Sequence, residues 1–385
     1  MSASDNTSRP PLRISGESMS AVGVAAANNL LPPAGSLGAG DDPKLKAKSA
    51  VLKKVVLVSP AMAGANNGNW HTAHRWHQFL ANHSDIALLA DWPQPSALPA
   101  TGAALMIALH ARRSAPSIAA WARALPQQPL VVMLTGTDLY RDIQSDPTAR
   151  LSLDLASHLV VLQDAGLDTL AALSAAWRAK AQVIYQSATA LKPAPPRPAD
   201  GAFRVVMVGH LRAEKDPLTF MAAARLAAAP ALVFEQIGDA LEPALGEAAA
   251  ATARACAAYF WRGGLARAPT RQRIKQAQLL VNCSQMEGGA HVILEAVRSG
   301  TPVLASRISG NVGMLGADYA GYFEFGNSGQ LAALVARCLQ EPAFLAQLQR
   351  QCCLREPRFA TALEKQLVLN LVRTAHRPPI DTERL

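Results

Sequence analysis

Short apolar runs alternate with helical patterns along most of this sequence, and that alternation constrains the fold more than any other feature. The first such run is Val55–Val58 and the last is Tyr322–Phe325. Between most of the runs lie stretches with helical periodicity, such as Thr72–Asn82 and Ala165–Arg178. Buried strands that alternate with helices are typical of a parallel sheet covered on both faces. The pattern therefore predicts an α/β fold.

A proline-rich stretch, Lys192–Pro198, interrupts the alternation once, because it can neither continue a helix nor lie inside a sheet. Apolar runs precede and follow it. They are Val55–Val58, Ile86–Leu89, Leu105–Leu109, Val131–Leu134, Leu159–Leu162, Val183–Tyr185, Val205–Val208, Leu232–Gln236, Tyr259–Trp261, Leu279–Val281, Val303–Ala305 and Tyr322–Phe325. We predict two doubly wound, Rossmann-like domains, 49–190 and 203–357, with a linker at 191–202 and a cleft where the carboxyl ends of the two sheets face each other.

The chain of 385 residues is long enough for two domains, and its formal net charge of +9 favours an anionic ligand. Aromatic residues make up only 5% of the chain and do not interleave with a basic stripe, so we expect no nucleic-acid partner. No apolar run is long enough to span a bilayer, which predicts no membrane association. The five cysteines, an odd number without a C-x-x-C pair, fit a cytoplasmic protein. Residues 1–48 are predicted to be a disordered extension.

Two glutamates with the spacing E-x(7)-E mark a candidate ligand site. Glu287 follows the apolar strand Leu279–Val281, two glycines follow Glu287, and Glu295 lies in the next helical stretch. The glycines allow a ligand to approach the backbone, and the start of a helix favours an anion. A carboxylate on each side of that anion site can bind hydroxyl groups. A phosphate flanked by hydroxyl-rich groups describes a nucleotide sugar.

The segment 283–306 resembles the donor-binding motif of the retaining GT-B glycosyltransferases of family four. The resemblance implies a GT-B fold in which Glu287 lies by the transferred sugar and Glu295 binds the ribose. It places Gly288, Gly289 and Ala290 beside the donor. It further implies that the last helix, 358–376, crosses back to the first domain.

A glycine and two cations follow the first strand of the second domain, at Gly209, Arg212 and Lys215. Family members use an arginine and a lysine here to bind the diphosphate leaving group, and positioned cations stabilise that charge without a metal. The alternative is a solvated loop whose cations pair with Glu214 and Asp216. The chain has no D-x-D motif, which favours a metal-independent reaction, and the resemblance implies that no cofactor is needed.

Polar and basic residues crowd the strand ends of the first domain. A loop resembling the glycine-rich loop of GT-B first domains contains Gly64, which we expect beside the donor. Such crowding suits a small anionic acceptor. The candidates for binding it are Asn69, His71, His74, Arg75, His110, Arg112, Thr137 and Arg141. Helix caps and paired surface charges are the alternative for the later residues, and a metal site for the histidines around His74.

Three strings from these loops, beginning at Gly68, Ala108 and Leu134, are similar to the selenosugar synthase family of selenoneine biosynthesis. The resemblance covers about residues 52–375. It implies transfer from UDP-N-acetylglucosamine to selenophosphate, with a carbon–selenium bond formed and UDP released.

Three other functions compete with this hypothesis. A conventional glycosyltransferase would use a hydroxyl or lipid acceptor, although the polar first-domain loops argue against lipid. A non-catalytic protein would bind a nucleotide or nucleic acid without turnover. A dinucleotide-dependent dehydrogenase is disfavoured because no G-x-G-x-x-G follows the first strand of either domain.

Overall fold

The computed structural model describes residues 52–65, 68–93, 102–191, 201–227 and 229–375. The predicted disordered extension 1–48 and the proline-rich centre of the predicted linker lie outside the described residues.

Twelve strands form within the described ranges, one at each predicted apolar run, and they divide into two six-stranded sheets. The bounds are β1 Leu52–Val58, β2 Ser84–Leu89, β3 Ala103–Leu109, β4 Leu130–Met133, β5 His158–Val161, β6 Ala181–Val183, β7 Phe203–Val208, β8 Leu232–Ile237, β9 Tyr259–Trp261, β10 Leu279–Asn282, β11 Val303–Ser306 and β12 Tyr322–Phe323. Every paired strand is parallel to its neighbour. The predicted α/β class is confirmed.

The strand orders explain where ligands can bind. The first sheet has the order β2-β1-β3-β4-β5-β6, and the second has β12-β11-β10-β7-β8-β9. In each sheet the chain reverses its direction of winding at one place, between β1 and β3 and between β7 and β10. A crevice forms at such a point because the flanking connections leave to opposite faces. The loops after β7 and β10 therefore border the crevice of the second sheet.

Helices cover both sheets. Their bounds are α1 Gly68–Leu80, α2 Ala115–Ala124, α3 Ile143–Ser145, α4 Pro147–Leu155, α5 Ala165–Leu173, α6 Ala175–Ala179, α7 Pro217–Leu226, α8 Pro243–Ala255, α9 Arg267–Gln276, α10 His291–Ser299, α11 Ser309–Leu315, α12 Ser328–Gln340, α13 Pro342–Arg355 and α14 Thr361–Ala375. The single helix predicted at Ala165–Arg178 was wrong. Ser174 is extended there, and its side chain caps α6 by accepting the Trp177 N–H.

The last helix packs on the first sheet. Val368 and Val372 of α14 join the apolar cluster that contains Val55 of β1 and Trp76 of α1. The chain therefore returns to the first sheet after it has completed the second. No helix in the described part of the chain is both long enough and apolar enough to cross a membrane.

Candidate functional site

An ion pair lies at the crevice of the second sheet. The Lys215 ammonium, in the loop after β7, is 2.6 Å from Oε1 of Glu287, in the loop after β10. The side chain of Lys215 is 22% exposed and that of Glu287 is 10% exposed. The winding of the sheet thus unites two residues that are far apart in sequence, as expected for loops that flank a crossover point.

Hydrogen bonds hold the Glu287 carboxylate from a second side. Ser284 Oγ donates to Oε1 at 2.6 Å and Asn282 Nδ2 at 3.3 Å. Burial raises the pKa of Glu287, but the charge of Lys215 and the hydrogen bonds from Lys215, Ser284 and Asn282 outweigh it, so the pKa lies below its ordinary value. Glu287 is therefore an ionised carboxylate in a largely dry site.

The loop after β7 contains both predicted cations of this site. Gly209 lies beside the Lys215 stem, whose Cγ would be at an ordinary van der Waals distance of 3.6 Å from an added Cβ. Asp216 adopts φ +45 and caps α7, since its side chain accepts the Thr219 N–H. Arg212 lies between them with 40% of its side chain exposed, and its Nε is 4.0 Å from Glu214. Lys215 thus reaches Glu287 in the loop after β10, whereas Arg212 is the more solvated of the two cations.

Helix α10 contains Glu295, the second glutamate of the E-x(7)-E motif. Ala290 precedes the helix, which begins at His291 rather than at the predicted residue 289. Glu295 is buried, and Arg267 and Arg271 of α9 approach its Oε1 at 3.4 and 3.7 Å. Burial raises the pKa of Glu295 above its ordinary value, although both arginines oppose the shift. The site of the predicted ribose contact is therefore lined by two arginines that the motif did not reveal.

Glycines allow loops of the first sheet to touch a loop of the second sheet. A Cβ added to Gly136, in the loop after β4, would lie 2.9 Å from the Gly288 nitrogen. A Cβ on Gly288 would lie 2.6 Å from the Gly136 nitrogen, and one on Gly289 would lie 2.8 Å from the Leu162 side chain. Only glycine fits at this contact without a backbone shift. The loops that contain Gly288 and Thr137 are consequently neighbours.

His110 and Thr137 meet beside that contact. His110 Nε2 is 3.1 Å from Thr137 Oγ1, and His110 Nδ1 accepts the Arg113 N–H. His110 has φ +69, an uncommon conformation for a non-glycine residue. Asp138 supports the loop, since its carboxylate accepts the N–H groups of Thr135, Gly136, Leu139 and Ala111. Burial lowers the pKa of His110 despite the nearby charge of Asp138, so the imidazole is neutral.

Two predicted acceptor residues pair with the same carboxylate. Arg112 Nε lies 3.0 Å and Arg141 Nε 3.1 Å from Asp142, which belongs to a π-helical turn at Asp138–Asp142. Arg141 Nη1 also lies 3.5 Å from Glu214, in the loop that contains Arg212. Both arginines remain nearly half exposed. The basic edge of the first sheet therefore borders the cationic loop of the second.

The remaining first-domain candidates lie on α1, which begins four residues before the predicted start at Thr72. Thr72 Oγ1 donates to the Gly68 carbonyl and closes the first turn. His71 and Arg75 face His291 of the second domain, with the His71 and His291 ring centroids 6.3 Å apart. His74 instead stacks on Trp70 and is exposed. Asn69 is half-buried, and Gly64 is exposed in the loop after β1.

Several residues of this site, Arg271 among them, escaped the sequence interpretation. Asn282 and Ser284 directly follow a predicted strand, so their position was a usable signal. Arg267 lies in helix α9, which the periodicity did not predict. Glu364 interrupts the apolar face of α14, and an acidic residue on such a face signals a buried charge. Among the described residues, no three His, Cys, Asp or Glu side chains cluster as a metal site would require.

Comparisons with known proteins bear on this geometry. Residues 191–352 match a family model described as glycosyl transferases group 1. No curated protein matches the sequence. Similar solved structures include Anabaena Alr3699/HepE in complex with UDP-glucose, with a TM-score of 0.68 at 18% identity, covering 84% of this chain and 100% of that one. Sucrose-phosphate synthase from Thermosynechococcus elongatus has a TM-score of 0.68 at 16% identity, covering 84% and 98% of the two chains.

A third similar structure is the pneumococcal O-GlcNAc transferase GtfA in complex with UDP and GlcNAc, with a TM-score of 0.57 at 16% identity, covering 71% of this chain and 57% of that one. These likenesses confirm the predicted GT-B fold. The match over residues 191–352 confirms the prediction that the protein is an enzyme of the glycosyltransferase type.

Proposed function

We propose that this protein transfers a sugar from a UDP-sugar to selenophosphate, as a selenosugar synthase does. The main support for UDP-sugar binding is the ion pair between Lys215 and Glu287 at the crossover crevice of the second sheet. It lies within the segment that matches group 1 glycosyl transferases, and structures similar to this chain were solved with UDP or UDP-glucose bound.

The donor would lie along the loops after β7 and β10. In the proposed binding mode, Arg212 and Lys215 bind the diphosphate, Gly209 and the 288–290 backbone approach it closely, and Glu295 binds the ribose. Glu287 would bind the sugar, close to His110 and Thr137, because Gly136 and Gly288 bring those loops together. Gly64 would lie over the donor from the loop after β1.

The proposed reaction is one displacement at the anomeric carbon. The selenium of selenophosphate supplies the electron pair for the new carbon–selenium bond, and the bond from carbon to the UDP oxygen breaks. The electron pair of that bond leaves with UDP, whose charge Arg212 and Lys215 stabilise. Selenium is already anionic and polarizable, so the step needs no general base. The phosphoryl group remains on selenium in the immediate product. No metal takes part in this proposal.

The acceptor half rests on the chemistry of the first-domain edge. His71, Arg75, His110, Arg112, Thr137 and Arg141 offer hydrogen-bond donors and positive charge to a small anion. Asn69 and His74 lie on the same helix as His71 and Arg75. N-acetylglucosamine is the sugar that the resemblance of the first-domain strings implies. A lipid acceptor would instead require an apolar surface at this edge.

A substrate-omission experiment tests the proposal. Purified protein is mixed with UDP-N-acetylglucosamine and selenophosphate, and mass spectrometry follows UDP and a selenium-bearing sugar phosphate. We expect both products only when both substrates are present. UDP release at the same rate without selenophosphate would contradict the acceptor assignment and would favour a conventional hydroxyl acceptor or hydrolysis. UDP binding without any turnover would favour a non-catalytic nucleotide-binding protein.

A further inference from the structure

A buried carboxylate joins the last helix to the candidate site. Glu364 of α14 is fully buried. Its Oε2 accepts from Arg75 Nε at 2.7 Å and from Ser187 Oγ at 2.5 Å, and its Oε1 accepts from Arg75 Nη2 at 2.9 Å and from Trp76 Nε1 at 2.8 Å. A buried carboxylate is tolerated only with such partners. With four donors on its two oxygens, this one is fixed in place.

The same contacts fix the direction of the Arg75 guanidinium. Its Nε and Nη2 are occupied by Glu364 in a two-point pair, which sets the plane of the group. Nη1 is left on the other side, where it lies 3.3 Å from the His71 carbonyl and 3.5 Å from His291 Nε2. His291 opens helix α10 in the second domain. Arg75 therefore presents one nitrogen to the boundary between the two domains.

That boundary is poor in negative charge. Burial and the charges of Arg267, Arg75 and His74 lower the pKa of His71. Burial and the charges of Arg75, Arg267, His71 and Arg271 lower the pKa of His291 well below its ordinary value. Of the nearby carboxylates, Glu364 is saturated with donors and Glu295 pairs with two arginines. The neutral imidazoles of His71 and His291 and the Nη1 of Arg75 thus lie at a boundary where binding of an anion would be favourable.

We propose that Glu364 is a positioning residue that aims Arg75 Nη1 at the acceptor's phosphoryl group, which binds beside His71 and His291. The proposal rests on the proposed function, since that function supplies an acceptor with a phosphoryl group. The arriving anion replaces His291 as the partner of Nη1. Both domains then contribute to the acceptor site. Helix α14 acts on that site through the orientation of Arg75 and does not contact the ligand.

The test measures binding of inorganic thiophosphate by calorimetry with UDP present, in wild type, Glu364→Gln and Arg75→Lys. Thiophosphate has the charge and shape of the acceptor, and a charge-assisted contact contributes about tenfold or more in affinity. We expect thiophosphate to bind at least ~10-fold more weakly to both variants, with UDP affinity within about twofold of wild type. Glutamine keeps the size of residue 364, and lysine at residue 75 keeps the charge but loses the two-point pair.

Glu235→Gln is the matched control. Like Glu364, Glu235 is a buried glutamate with charged partners, in this case Arg262 and Arg273. It lies in β8 of the second domain. We expect it to lose stability without losing thiophosphate affinity. If Glu235→Gln loses as much thiophosphate affinity as Glu364→Gln, general destabilisation explains the loss and the proposal is overturned. The double variant Arg75→Ala with Glu364→Gln should bind thiophosphate no more weakly than Arg75→Ala alone, because Glu364 acts through Arg75.

Unchanged thiophosphate affinity in folded Glu364→Gln overturns the proposal. If Glu364→Gln does not fold, the thiophosphate affinity of Arg75→Lys tests the proposal instead. An affinity of Arg75→Lys equal to that of wild type would also overturn the proposal. The proposed function is judged separately by turnover of wild type with selenophosphate. Wild type that binds thiophosphate in the expected manner but forms no selenium-bearing sugar would contradict the function and leave the role of Glu364 standing.

Discussion

Replacing Lys215 with methionine removes the cation at the centre of the proposed site and keeps the length of the side chain. In the free enzyme the Lys215 ammonium is 2.6 Å from Glu287, and neither side chain is more than 22% exposed. A hydrogen bond to a charged group in such a site contributes about 1.5–3 kcal/mol. We expect Lys215→Met to lose stability in that range. The control is Lys365→Met, at a partly exposed lysine of α14.

The same substitution should slow the reaction more than it destabilises the fold. Loss of one positioned donor to a developing anion costs roughly 2.7–4 kcal/mol of transition-state stabilisation, which is about 10²- to 10³-fold in kcat. A continuous assay of UDP release at saturating substrates measures this effect. A kcat within about threefold of wild type would refute the role of Lys215 in leaving-group stabilisation, whatever happens to stability.

The pH dependence of stability provides a second check on the same pair. In the wild type the pKa of Glu287 is below its ordinary value of 4.5, so the ionised carboxylate stabilises the fold above pH 4.5 and the contribution is lost as pH falls through the folded pKa. In Lys215→Met, burial of Glu287 is no longer opposed by a cation, and its pKa rises. Urea unfolding at a series of pH values should show the variant gaining stability as pH falls toward 4.5, because the folded variant now takes up the proton before the unfolded chain does, whereas wild type gains none there. Parallel curves for the two proteins would contradict the ion-pair argument.

Three further predictions follow from other parts of the site. Arg212→Ala should lower kcat by about 10²-fold with a stability change below about 0.5 kcal/mol, because the side chain is largely solvated; an unchanged kcat would argue against its role. Gly288→Ala should abolish most activity, since its Cβ would lie 2.6 Å from the Gly136 nitrogen, whereas Gly68→Ala, where a Cβ meets nothing within 4 Å, should not; equal activity in both would contradict the glycine contact. Wild type should lose stability as pH falls below 6.5, because the pKa of half-buried His291 lies below that value and the unfolded chain takes up the proton first; His291→Gln should flatten the urea-unfolding profile there, and an identical slope would exclude His291 as a cause.

The sequence predicted the two sheets well because their strands are buried on both faces. All seven residues of β3 and all four of β10 and of β11 are buried, so each strand appears as an uninterrupted apolar run. Helices with mixed surfaces were harder to find. Helix α9 has the segment Arg267–Gln276, in which few apolar residues mark a face, and its two site arginines were missed with it.

Contacts between distant segments limited the prediction of the site. The E-x(7)-E spacing identified Glu287 and Glu295 because both lie on one loop and helix. The pairing of Arg75 with Glu364 joins residues 289 positions apart, and no local pattern encodes it. The loop residues Arg112 and Arg141 were identified by type and position, but their shared partner Asp142 depends on a π-helical turn that the sequence pattern does not announce.

Titration of UDP into the protein in the presence of a metal chelator tests the central claim most directly, because Arg212 and Lys215, and no metal ion, are proposed to neutralise the diphosphate. We predict a measurable heat of binding that chelation leaves unchanged and that the double variant Arg212→Ala with Lys215→Met reduces by at least ~10-fold in affinity. Absence of binding by wild type, or binding that appears only when a divalent metal is added, would contradict the account.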